Sequence, residues 1–149
     1  MAYWGIAYAY GPHYNYIKVP ADHALYCNEY TKLASSKKKF ANEAECALID
    51  ALESRYTIPM PLEGEDLQVL LQNYSNEMSK VYKAFPNDYD IVGLYAESIM
   101  NLRPWNLWTT DGQPYKEALE AKAVLDRAVR KGPPHPLIYH LYIHLLELS

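Results

Sequence analysis

The chain has 149 residues, 50% of them hydrophobic and 21% charged. That is the make-up of one globular domain, and it excludes a disordered chain. A net charge of −4 and a pI near 5.7 argue against nucleic acid or an anionic membrane as partner; the single basic run, Lys37-Lys38-Lys39, is the length of a solvated helix end.

Cys27 and Cys46 make neither a disulfide framework nor a zinc spacing. They read as small thiols of a reducing compartment, so a cytoplasmic chain is expected. No run approaches the ~20 apolar residues of a membrane helix, and the opening Met-Ala-Tyr-Trp-Gly lacks the pattern of a signal peptide. Tyrosine is over-used, 15 against 2 phenylalanines; its aromatic body and polar tip suit helix interfaces that border a wet groove.

Seven helices are predicted in chain order. The first covers residues 2–10 and stops at Gly11-Pro12, a strong breaker pair. A loop follows over residues 13–20, then a helix over 22–34. The third opens on Asn42 with Glu45 three residues on, a capping-box pattern, and places Ala44, Ala47, Leu48, Ala51 and Leu52 on one face. Pro59 and Pro61 end that region. The fourth helix, residues 65–84, carries Leu67, Leu70, Leu71, Tyr74, Met78 and Val81 at helical spacing. Pro86-Asn87-Asp88 turns the chain and caps a fifth helix, residues 89–102. A Trp-rich segment, 103–113, precedes a sixth helix over 114–131. Gly132-Pro133-Pro134 breaks the chain again before a last helix from Pro136 onward. No segment alternates with period two, so no sheet is expected.

Helical hairpins joined by Pro-containing turns carry a repeat signal. Ala121-x3-Leu125-x2-Ala128-x4-Pro133 has the spacing of a second repeat helix, and Tyr74-x3-Met78-x2-Val81-x4-Pro86 shares it without the small residues. Tyr3-x2-Ile6-Ala7-x2-Tyr10, Val92-x2-Tyr95-Ala96-x2-Ile99 and Tyr139-x2-Tyr142-Ile143-x2-Leu146 approximate the first-helix pattern. Together these resemble the tetratricopeptide (TPR) repeat, and the stretches Ala-Tyr-Trp-Gly-Ile-Ala-Tyr-Ala-Tyr-Gly-Pro, Tyr-Ala-Glu-Ser-Ile-Met-Asn-Leu-Arg-Pro-Trp-Asn-Leu-Trp-Thr and His-Pro-x3-His-x3-His resemble longer TPR-domain proteins. The resemblance implies an all-α fold: a TPR-like α-α superhelix, a solenoid of antiparallel helix pairs. Pro86 and Pro133 are 47 residues apart rather than the ~34 of a regular repeat, so the repeats are degenerate and carry insertions.

Residues 1–149 are expected to form one such domain within a longer array. A solenoid covers its end faces with polar caps, so the last helix is expected to leave Leu141, Leu145, Leu146 and Leu148 partly bare and open to self-association.

In TPR-like arrays the first helix of each pair lines a concave groove. Carried over, this displays Trp4 and Tyr8, then Gly93, Glu97 and Met100, then His140, His144 and Glu147. Arg103, Trp105 and Trp108 sit in a loop longer than most helix connections, where they either wall the groove, with Arg103 available for a carboxylate or phosphate, or plug a gap in the packing. The leading expectation is a scaffold that binds a protein or peptide in the groove, without cofactor or catalysis. The alternative is a metal-dependent enzyme or metal-binding protein. His140 and His144, four residues apart, share one helix face, and Glu97 on a neighbouring helix would complete a set suited to zinc or iron; His135, five residues before His140, is awkwardly placed to join them.

Overall fold

The computed structural model describes residues 1–147 and 149. Among them are seven α-helices: α1 (Ala2–Tyr10), α2 (Ala21–Ser36), α3 (Glu43–Glu53), α4 (Gly64–Ala84), α5 (Tyr89–Met100), α6 (Lys116–Lys131) and α7 (Pro136–Leu146). A 3-10 turn, Lys38–Phe40, precedes α3. The described residues contain no strand, only isolated bridges at His13–Tyr16 and Trp108–Pro114. The second bridge explains why α6 starts at Lys116 rather than Pro114. None of the described helices is long and apolar enough to cross a membrane.

Local chemistry sets the helix ends. The Asn42 side chain accepts from the Glu45 N–H at 2.9 Å, while the Glu45 carboxylate accepts from the Asn42 N–H at 3.0 Å. That reciprocal pair satisfies two of the donors a helix start leaves open. Asp88 does the same for α5, accepting from the N–H groups of Asp90 and Ile91. Beyond α1, Gly11 is required by a close approach: a Cβ there would lie 2.2 Å from the Tyr56 hydroxyl oxygen.

Each helix packs on the next, and cross-contacts give the direction. Tyr3 meets Tyr30 and Tyr10 meets Tyr26, so α1 and α2 are antiparallel. Tyr82–Tyr95, Ser75–Ser98 and Gln68–Leu102 make α4 and α5 antiparallel. Tyr95–Glu120 and Arg103–Glu117 place α6 antiparallel to α5. Helices α1 and α3 run parallel, as do α5 and α7. Along α1 and α3, the Trp4 indole N–H donates to the Leu48 carbonyl at 3.0 Å and the Tyr56 hydroxyl to Ala7 at 2.8 Å. Along α5 and α7, Asp90 faces His135 and Gly93 faces Leu137.

Helix α5 is the centre, buried at every position from Ile91 to Met100 because α4, α6 and α7 surround it. Ala118, Ala121, Leu125 and Ala128 form the buried stripe of α6, as their spacing requires. The inner stripe of α2 is small (Ala24, Cys27, Thr31 and Ala34), which lets it lie close to α1 and leaves Leu25 outside.

The last helix departs from expectation. Leu141 and Leu145 are not bare: they are 2% and 0% exposed, with Ile138 on the same stripe. Steps of three and four residues put all three on the face turned to α5 and α6. The apolar residues α7 leaves open are instead Tyr139 and Ile143, 43% and 66% exposed. Leu146 is partly buried, and Leu148 lies outside the described residues.

Candidate functional site

The inner face that the repeat pattern assigns to a ligand is filled by the chain's own side chains. Trp4, expected in an open groove, is 9% exposed, tied to Leu48 and stacked on Tyr8 with ring centres 4.9 Å apart. The Tyr8 hydroxyl donates to the Glu97 carboxylate. Met100 is fully buried, and Gly93 is so close to α7 that a Cβ would sit 2.7 Å from Leu137 Cδ2. These side chains turn inward, and the neighbouring helices pack on them.

At the heart of this face is Arg55, just past the end of α3 and 1% exposed. Its guanidinium lies 4.8 Å from the Tyr8 ring centre, 4.7 Å from Tyr74 and 5.9 Å from Tyr56, and it donates to the Pro12 carbonyl. Stacking of a cation on phenol rings is favourable and strengthens with desolvation. Glu97, held by Tyr8, supplies the counter-charge. Among the described residues, Arg55 Nε and Nη1, the Tyr74 hydroxyl and both polar atoms of the Asn101 amide have no hydrogen-bond partner.

Burial holds the Tyr8, Tyr56 and Tyr74 phenols above their ordinary value of 10.0. It also pushes the nearby Cys27 thiol up to about 11. Each shift moves a group away from ionisation at neutral pH, the reverse of an activated base or nucleophile. The cluster is a charged core packed from the chain's own side chains.

The surface offers two further features. The first joins three segments. Tyr14, from the loop after α1, touches Trp105 and His144 with ring centres 5.2 Å apart in each case, and Trp105 meets His144 edge-on at 5.6 Å. Trp105 is 48% exposed and has a φ of 58°, a backbone region uncommon for residues with a side chain. His140 and His144 meet edge to face with ring centres 4.6 Å apart, and His144 Nδ1 is 2.8 Å from Glu147.

The second is an apolar groove of about 820 Å³ on the outer side of α2, walled by the loop that follows α3. Leu25, Leu33, Ile58, Met60 and Leu62 supply its apolar lining. Leu25 is 73% exposed and Ile58 68%. The Asn28 amide donates to the Thr57 carbonyl at 2.9 Å, and the Val19 N–H donates to the Leu62 carbonyl at 3.0 Å. The wall is therefore pinned near both ends.

The other anticipated residues separate into different places. Arg103 donates to Glu117 at 2.9 Å and lies over the Tyr115 ring at 4.1 Å; its carboxylate partner is one of the chain's own. Trp108 plugs the packing, its indole N–H donating to the Leu145 carbonyl at 2.6 Å, and Leu107 beside it is 1% exposed. His135 sits beside Asp90 at 3.1 Å. Glu97 is engaged by Tyr8 and does not join the two imidazoles: among the described residues, no three His, Cys, Asp or Glu side chains are grouped to hold one ion.

No protein-family model, no curated protein and no solved structure matches the chain.

Two features escaped the sequence reading. Arg55 gave no signal of its own, since an arginine at a helix end usually reads as solvated. Glu97 did give one: a carboxylate inside the apolar run 91–100 must find a partner. The α2 groove was foreshadowed by Leu25 and Leu33, which fall off the small-residue stripe.

Proposed function

We propose that the chain is a TPR-like helical scaffold that binds a partner protein, and that it does so on the outer side of α2 rather than in a concave groove. The observation that carries this reading is the apolar groove between α2 and residues 58–62, which leaves Leu25 and Ile58 in solvent. Isolated exposed apolar residues are ordinary; a continuous apolar concavity with a pinned wall is the form an interaction site takes. The fitting occupant is the apolar face of an amphipathic helix, inserted as side chains one turn apart. Alternation of antiparallel and parallel helix neighbours supports the TPR-like part of the reading.

Selection of a displayed peptide library on the purified chain tests it. Enriched sequences should carry apolar residues at three- and four-residue spacing, and their binding should fall at least tenfold in Leu25→Glu and Ile58→Glu, both exposed positions that leave the core untouched. Peptides that bind these variants as well as the parent would overturn the assignment. Sedimentation of the same variants reports whether a second copy of the chain is the occupant instead.

A further inference from the structure

We propose that His140 and His144 bind one divalent transition-metal ion on the open side of α7, with Glu147 fixing His144 for that task. This site is separate from the α2 groove and does not depend on it. Two imidazoles each ~2.1 Å from a common ion place their ring centres about 5 Å apart. The rings stand edge to face with centres 4.6 Å apart, and rotation of the His140 side chain brings a nitrogen of each to one ion without rearrangement of the helix.

The surroundings of His144 define its chemistry. Glu147 lies 2.8 Å from Nδ1. A proton on that nitrogen is donated to the carboxylate, which leaves the Nε2 lone pair as the ligating atom. Metal-bound histidines use the same arrangement, in which a carboxylate sets the tautomer and raises ligand basicity. Tyr14 and Trp105 pack against the ring and narrow its choice of rotamer, so less freedom is lost on binding. His140 is exposed and free to swing the small distance needed. Two neutral nitrogens select zinc or copper over magnesium or calcium, which take oxygen ligands. Water, or a side chain from a bound partner, completes the coordination.

Trp105 provides the readout. Its indole is 5.6 Å from the His144 ring, within range for a paramagnetic ion to quench its fluorescence. Titration of the full chain with CuCl₂ should quench emission with one-site saturation, and Trp105→Phe should remove most of that change. Calorimetry with ZnCl₂ should give one ion per chain. His140→Gln, at an exposed position that the fold does not need, should weaken zinc binding at least tenfold, and His144→Gln at least as much. Glu147→Gln should weaken it about tenfold, while His13→Gln should change nothing. Zinc binding in His140→Gln equal to the parent, or no one-site binding to the parent at all, overturns the proposal.

Discussion

Helices α1–α3 and α5–α7 share one arrangement, an antiparallel pair followed by a helix parallel to the first, but they are fastened by different chemistry. Between α1 and α3 the contacts are side chain to backbone: Trp4 to Leu48, Tyr56 to Ala7, Arg55 to Pro12. Between α5 and α7 the close approach is steric, with Gly93 accepting the bulk of Leu137, and the polar contact, His135 to Asp90, joins side chains at one end only. The first group holds large aromatic residues at fixed angles through directional bonds; the second brings backbones close by omitting a side chain. The same helix order can therefore be reached by hydrogen bonding or by volume, and the two halves should fail in different ways.

The largest expected effect is in the first group. Arg55→Ala removes a fully buried side chain stacked on Tyr8, Tyr56 and Tyr74 and should cost about 2–5 kcal/mol, the range for truncating a large core side chain. Urea melts measure it. Addition of Glu97→Gln to the same chain should recover part of the loss; full additivity would show that the two charges do not sense each other.

In the second group the lever is volume. Gly93→Leu should cost about 1–3 kcal/mol by overpacking. Leu137→Ala should cost less in that variant than in the parent chain, because the space it opens is then needed. Equal costs would mean that α5 and α7 separate freely.

The third effect appears only in alkali and falls on the phenols around Arg55. Tyr8, Tyr56 and Tyr74 have folded-state pKa values raised by burial above the 10.0 of a free phenol. Below pH 10 both folded and unfolded chains keep these protons, and the stability is intact. Above it the unfolded chain releases protons that the folded chain retains, so stability falls by about 1.4 kcal/mol per pH unit for each such tyrosine. Tyrosinate absorbance should therefore show a late set of phenols ionising together with loss of the helical signal. Gradual ionisation of all 15 tyrosines without unfolding would contradict their burial.

The helices were legible because their ends are written in short-range chemistry. Gly11-Pro12, the Asn42–Glu45 box and Asp88 each act within four residues, and the structure keeps all three. The stripe of α6 was legible from its spacing alone. What the sequence did not disclose is how far the helices close on one another. Trp4, Tyr8 and Glu97 were expected to face an open groove, and their surroundings are instead filled by the chain's own side chains, among them Arg55, 47 positions from Tyr8. Leu141 and Leu145 show the same limit: their leucines mark an apolar face, but only the position of α5 says which way it turns. Periodicity reports faces, and long-range approach decides what covers them.

The meeting of Tyr14 with Trp105 and His144 makes the molecule a closed circuit. In an open array each unit touches only its neighbours, so melting can begin at one end and travel unit by unit. Here Tyr14, from the loop after α1, contacts α7, so opening either helix disturbs a contact that the other shares. Amide protons in α1 and α7 should then exchange through a common opening event rather than by independent fraying. A ligand that seats on α7 would slow exchange in the loop after α1, at the far end of the chain by sequence.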